Sequence, residues 1–472
     1  MVDGEGPNGK EGERPVDLDN AKPQKSKNLE PPNEARGETP RAERGAEAEP
    51  AVHGTERPGA SGLMEAVVER RNLQAALKRV KQNKGSPGID GMTVDELSEH
   101  LRAHWPSLRE QLLAGTYQPQ PVRRHAIPKS GGGERELGIP TVLDRFIQQA
   151  LLQVLQPRFD PTFSQHSHGF RPRRCAHDAV REAQRYVQQG KRWVVDVDLE
   201  KFFDRVNHDV LMGRLIKRIE DRRVLGLIRR YLNAGVMAGG VVMERHEGTP
   251  QGGPLSPLLA NVLLDDVDKE LEKRGHAFVR YADDCNVYVR SQRAGERVMQ
   301  TLRRLYAKLH LRINESKSAV ARVQDRKFLG YSFWMSPKGE VRRTIASKAR
   351  EAMKERVRRL TSRIRGRSLA QVCQDLRAYL TGWKAYFRLE ELPGVFRDLD
   401  GWIRHRLRAL QLKQWKRGPT IFRELRARGM SPRDARRVAG NASRWWHNSK
   451  MLINIALPIK LFDGLGLPRL AA

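Results

Sequence analysis

Cysteine is scarce in this chain of 472 residues: Cys175, Cys285 and Cys373 lie far apart, with no C-x-x-C pair among them. An odd and scattered set excludes a disulfide framework and a cysteine-held zinc site, and predicts buried free thiols in a reducing compartment. Long apolar runs are missing too. No stretch of about 18 apolar residues is present to span a bilayer, and the first residues lack the apolar core of a signal peptide. A soluble, intracellular protein of the bacterial cytoplasmic type is therefore expected. Negative charge is in short supply, with 56 Asp and Glu against 87 Lys and Arg and a formal net charge of +31. A surplus of that size implies a polyanionic partner, nucleic acid before membrane.

The length suits about three domains. Residues 1–60 are rich in Gly, Pro, Glu, Asn and Lys and nearly devoid of large apolar side chains, so they are expected to form a disordered tail. From Met64 onward, Val67, Val68, Leu73, Ala76, Leu77 and Val80 recur at helical spacing up to the Gly85-Ser86-Pro87-Gly88 turn. Between about 122 and 340, strand-like and helical segments alternate irregularly around turn clusters at 130–133, 169–172 and 248–257. That pattern predicts an α+β fold with an antiparallel sheet at its centre. Past about 345 the strand pattern ends and basic amphipathic helices are expected. There Trp383, Tyr386, Phe387, Trp402 and Trp415 interleave with Arg388, Arg404, Arg406 and Arg408. The aromatics are assigned mostly to packing and the arginines mostly to RNA or DNA contact.

Two carboxylate motifs stand out. In FVRYADDCNVYV, β-branched and aromatic residues flank Asp283-Asp284 on both sides, which places the pair at the turn of a hairpin. Alone, such a pair fits a metal site or a plain polar turn. The same dipeptide at Asp265-Asp266 lies in an amphipathic helical pattern and reads as a solvated face. In RWVVDVDLEKFFDRVNH, Val194, Val195, Val197 and Leu199 predict a buried strand with Asp196 and Asp198 on one side. A carboxylate on such a strand is costly unless paired or bound to metal. Asp198 with Asp283 would supply the carboxylates for a pair of divalent cations, and oxygen ligands with phosphate chemistry point to Mg²⁺. Asp196, Asp204 and Asp209 read as structural, in salt bridges or helix caps. Between the motifs, Gly248, Gly252 and Gly253 in GTPQGGPLSPLLANVLL permit close backbone approach to a ligand, and Pro254 or Pro257 can open the helix that follows.

In sequence order, VVDVDLEKFFD, GTPQGGPLSPLLAN, YADD, INESKS and FLGYSF resemble the successive palm motifs of reverse transcriptases. Upstream, NLQAALKRVKQNKGSPGIDGMTVDEL, IPKSGGGERELGIPTVLDRFIQQAL and SHGFRPRRCAHDAV resemble the finger motifs of the group II intron subfamily, and LRAYLTGWKAYFRL resembles its maturase, or X, domain. The resemblance covers about residues 64–440. It implies a right-hand polymerase fold: fingers and palm with an antiparallel sheet over 61–340, a helical thumb and maturase domain over 341–440, and a short segment over 441–472 able to bind DNA.

The resemblance also implies roles. Asp198, Asp283 and Asp284 would form the catalytic and metal-binding triad, holding two Mg²⁺ ions. Phe203 matches the position that blocks a ribose 2′-hydroxyl, although it also suits a core position beside Phe202. Lys129 and Arg135 would meet the triphosphate, Gln251 and Gly252 would line the template base and nucleotide, and Lys317 would protonate pyrophosphate, with an ordinary surface lysine as the alternative. The implied function is an RNA-directed DNA polymerase that copies group II intron RNA from a DNA primer with dNTPs, and that assists splicing and retrohoming. The subfamily often adds an H-N-H endonuclease with cysteine pairs. Residues 441–472 contain no cysteine and His447-Asn448 is isolated, so no endonuclease is expected, and mobility would need a nick or a replication-fork primer from elsewhere. A splicing-only maturase and a host-recruited reverse transcriptase in defence or repair are the competing readings.

Overall fold

The computed structural model describes residues 62–128, 134–238, 241–243, 247–249, 252–363, 366–450 and 453–471. The tail expected at 1–60 and the 130–133 turn lie outside them. The centre is a four-stranded sheet built from β3 (Trp193–Val197), β6 (Ala277–Tyr281), β7 (Asp284–Val289) and β8 (Ala319–Arg322), in the order β6-β7-β3-β8. All its pairings are antiparallel, as the sequence predicts. Both faces are buried, which is why these strands read as near-continuous apolar runs. Val195, Val197, Phe278, Cys285, Val287 and Val289 face one core, shared with the Ser256–Lys273 and Gln292–Lys308 helices. Val194, Val279 and Tyr288 alternate to the other face and meet Ala179, Val180 and Ala183 of the Ala176–Gln188 helix.

A second sheet lies upstream, with β1 (Val122–Pro128) and β2 (Glu134–Ile139) as an antiparallel hairpin. Its order is β2-β1-β4-β5, with β4 at Val236–Ala238 and β5 at Val241–Met243, and its β1–β4 pairing is parallel. A hairpin of β9 (Tyr331–Met335) and β10 (Val341–Ile345) follows the central sheet. Every regular element described after it is helical. The last described residues fold back: Leu470 and Ala471 donate backbone N–H groups to the buried Asp400 carboxylate at 3.1 Å. None of the described helices is long and apolar enough to cross a membrane.

Three expectations need correction. The helical pattern from Met64 is broken into Leu63–Val67 and Arg70–Asn83, with Glu69 extended at φ −62°, ψ 137°. Leu63, Met64, Val67 and Val68 are all buried, and the break lets this crowded apolar set reach the core. Cys285 and Cys373 are buried thiols, whereas Cys175 is exposed; it caps the Ala176–Gln188 helix, its Sγ 3.1 Å from the Asp178 carboxylate. Asp265 is no solvated residue: at 1% exposure it turns inward and pairs with Arg218 (3.0 Å) and Lys269 (2.5 Å), while Asp266 stays exposed beside Arg214.

Candidate active site

The register of the central sheet brings the three singled-out carboxylate positions together. On the β3–β7 ladder Val197 faces Cys285, and the next step of that register sets position 198 beside position 284. On the β6–β7 ladder Tyr281 faces Asp284, so Ala282 and Asp283 alone make the turn. Ala282 holds a left-handed φ of +58°, uncommon outside glycine. Asp198, Asp283 and Asp284 are each half-buried at this end of the sheet.

Asp198 is pinned from the chain after β7. Its carbonyl accepts from the Asn314 N–H at 2.9 Å, and its own N–H donates to Ser318 Oγ at 3.0 Å. The same INESKS segment carries Lys317, whose ammonium lies 3.6 Å from Asp198 Oδ1 and whose side chain is 62% exposed. Asp196, two residues back on the same face, pairs with Arg326 at 2.6 Å; burial pushes its carboxyl above the usual range despite that neighbour. Asp209 pairs with Arg229 at 2.7 Å, and the Asp204 N–H closes a short turn on the Lys201 carbonyl at 2.9 Å. Asp196 and Asp209 thus sit in ion pairs, as expected.

The other named residues divide. Phe203 is buried at 9% exposure, edge-on to Phe202 with ring centroids 5.1 Å apart, and its carbonyl accepts from the Thr249 N–H at 2.7 Å. That bond ties the Phe203 backbone to the Gly-Pro loop. Gly252 has φ +136°, and a Cβ there would stand 2.8 Å from the Gly138 carbonyl of β2, so the loop touches the upstream sheet through bare backbone. Arg135 faces Ile127 across the β1–β2 hairpin. Lys129 and Gln251 lie outside the described residues.

The sequence reading missed the support beneath the turn. Arg280, 1% exposed, forks onto Asp268 (Nε 2.8 Å, Nη2 2.6 Å), which is fully buried. Arg280 Nη1 donates to Asn261 Oδ1 (2.9 Å) and to the Ala282 carbonyl (2.8 Å). Asn261 in turn donates to the Gly169 carbonyl at 2.9 Å. Residues 166–168 run beside β6, with the Arg280 N–H donating to the His166 carbonyl and the His168 N–H to the Arg280 carbonyl, both at 2.9 Å. A signal was present: an arginine inside an apolar strand must find a buried partner.

Among the described residues no three His, Cys, Asp or Glu side chains converge as a metal-holding group. The donors nonetheless suit Mg²⁺, which takes one or two carboxylates and completes its shell with water and substrate phosphates, so a site of this kind needs no all-protein cage.

Comparison with known proteins gives two family matches. Residues 127–333 match the family described as reverse transcriptase (RNA-dependent DNA polymerase), and residues 350–429 match the group II intron, maturase-specific domain. Protein YkfC of Escherichia coli strain K12 is 33% identical over 311 residues, 57% of this chain and 82% of YkfC. Group II intron-encoded protein LtrA of Lactococcus lactis subsp. cremoris is 40% identical over 197 residues, 41% of this chain and 32% of LtrA. Nuclear intron maturase 1, mitochondrial, of Arabidopsis thaliana is 41% identical over 93 residues, 20% of this chain and 13% of that protein. The matched segment thus spans most of YkfC but about a third of LtrA.

Proposed function

This chain belongs to the family of group II intron reverse transcriptases and maturases, an RNA-directed DNA polymerase joined to a maturase-specific region, and from that premise we propose how it acts and on what. A DNA primer annealed to group II intron RNA lies across the central sheet, and its 3′-hydroxyl attacks the α-phosphate of a dNTP in line, releasing pyrophosphate. Asp198 and Asp283 would hold two Mg²⁺ ions, with Asp284 in support. The ions, when bound, lower the pKa of the attacking hydroxyl and neutralise charge on the leaving oxygens. Lys317 carries the proton that passes to the departing pyrophosphate oxygen. Phe203 excludes a ribose 2′-hydroxyl by volume, Gly252 and Gln251 line the nucleotide, and Lys129 and Arg135 hold its triphosphate.

The basic helical region over 341–440 grips the intron RNA, so the same chain assists splicing and retrohoming, working inside the cell where its transcript is made. Most of the rate comes from positioning and electrostatics. The observation that carries this reading is the register that gathers positions 198, 283 and 284 at one sheet end beside Lys317.

The test is primer extension with purified protein, an RNA template, an annealed DNA primer, dNTPs and Mg²⁺. Wild type should extend and Asp283→Ala should not. A wild type that binds intron RNA yet adds no nucleotide would overturn the polymerase reading and leave a splicing-only maturase.

A further inference from the structure

The pair Arg280–Asp268 is an expensive way to fill a core. Both side chains are at or below 1% exposure, and replacing such a pair with well-packed apolar residues is often neutral or stabilising. Stability alone therefore does not account for it. What the guanidinium does that an apolar side chain cannot is hold the Ala282 carbonyl at 2.8 Å while its other nitrogens are locked on Asp268. That carbonyl belongs to a residue at φ +58°, a left-handed conformation that is unfavourable for an alanine. At the Ala282 nitrogen Gly169 closes the turn: a Cβ there would lie 2.1 Å from that nitrogen and 2.9 Å from the Tyr281 carbonyl carbon. Asn261, with no exposure, links the two contacts through Arg280 Nη1 and the Gly169 carbonyl.

We propose that Arg280, Asn261 and Gly169 are positioning residues: they clamp the backbone of the Ala282-Asp283 turn at two points and so set where the Asp283 carboxylate meets the divalent cation. The inference rests on the reading of Asp198 and Asp283 as cation ligands. None of the three touches substrate. Asp268 serves as the anchor that keeps the guanidinium oriented and charged.

Mn²⁺ is the probe, its binding to the full chain followed by the electron paramagnetic resonance signal of the free ion. Gly169→Ala, Arg280→Lys and Asn261→Leu should each weaken Mn²⁺ binding by about 10- to 100-fold, the range seen when outer partners of metal ligands are removed. In primer extension the same variants should lower kcat and leave KM for primer–template unchanged. Asp400→Asn weakens the anchor of Leu470 and Ala471; it should lower Tm without moving Mn²⁺ binding, and separates positioning from general stability. Circular dichroism and Tm identify which variants are folded, and Asn261→Leu, close in volume to the residue it replaces, carries the test if Arg280→Lys or Gly169→Ala does not fold. Folded variants with wild-type Mn²⁺ affinity would overturn the clamp. If Asp198→Ala and Asp283→Ala also leave Mn²⁺ binding unchanged, the reading of the site itself fails and the clamp with it. If those two abolish binding while Asn261→Leu does not shift it, the clamp alone fails.

Discussion

Glu182 accepts hydrogen bonds from His166 Nδ1 (2.6 Å), His168 Nε2 (2.6 Å) and Tyr186 OH (2.8 Å), directly beside the strap that supports the Ala282 turn. Burial alone would raise its carboxyl, but these donors outweigh burial and hold it well below the ordinary 4.5. The bond to Glu182 lifts His166 above its ordinary 6.5, against burial and with Glu272 and Arg185 as the other charged neighbours. The signs give a window. A depressed carboxyl contributes stability above its unfolded value and loses it as pH falls; a raised imidazole contributes below its unfolded value and loses it as pH rises. The Tm difference between wild type and Glu182→Gln should therefore be largest between about pH 5 and 6 and shrink as pH rises past the ordinary imidazole range. A difference that grows in thermal melts as pH rises above about 6 would refute the assignment. At this scale the sequence named Asp198, Asp283 and Lys317 because they sit in dense motifs. It left out Arg280, Asp268 and Glu182, because periodicity reveals that a polar residue is buried but not which residue, more than ten positions away, will satisfy it.

β10 is an edge strand, and its outer amides are covered by two adjacent carboxylates. Glu391 accepts from the Arg343 N–H at 2.7 Å and from Gln184 Nε2 at 3.0 Å; Glu390 accepts from the Ile345 N–H at 2.6 Å and the Thr344 hydroxyl at 3.2 Å. This pairing blunts an edge that would otherwise offer free N–H groups to another chain, and it docks the hairpin against the start of the Pro393–Trp415 helix. Glu390→Ala and Glu391→Ala should each cost about 1–3 kcal/mol by leaving half-buried donors unmade. Hydrogen exchange should then quicken at Arg343 and Ile345 while the inward-paired β9 amides hold; uniform quickening of the whole hairpin would speak against the cap. Elements of this kind were only partly legible. The strands around Asp196 and Asp283 were readable because both their faces are apolar, and the helices after 345 because their apolar stripe has a single period. The break at Glu69 was not, since Val67 and Val68 fit a continuous helix locally and only the core they must both reach forces the turn. The parallel β1–β4 pairing joins segments more than a hundred residues apart, and no local pattern encodes such a partner.

The charge of +31 was visible in composition, but which cations can meet a phosphate depends on the packing of the whole chain. Of the arginines singled out between 388 and 408, Arg404 is buried against Asp400 (3.5 Å) and Arg408 is bonded to the Leu457 carbonyl (3.0 Å), so both are committed internally. Arg406 differs. Burial first, then the nearby Arg363 and Arg358, push its guanidinium down to about 10. Among the described residues none of the three has a carboxylate at ion-pair distance. Their guanidinium groups stand over indole rings: Arg358 and Arg406 over Trp402 at 5.8 and 5.4 Å, and Arg363 over Trp445 and Trp446 at 5.9 Å each. Trp446 is 37% exposed and stacks on His405 with ring centroids 3.7 Å apart, which places an aromatic face beside the cations. Crowded cations with neighbouring aromatics suit a nucleic acid backbone whose phosphates relieve the repulsion. Replacing Arg358, Arg363 and Arg406 together by Gln removes the repulsion along with the indole contacts and the Thr361 bond, so Tm should change by only a few degrees. The same variant should lower the slope of log K against log salt for RNA binding by about 2 to 3, at roughly 0.7 to 0.9 for each lost phosphate contact. Asp283→Ala, which abolishes extension on the reading above, should leave that slope unchanged. A triple variant with the wild-type slope would move the phosphate contacts to another face of the molecule.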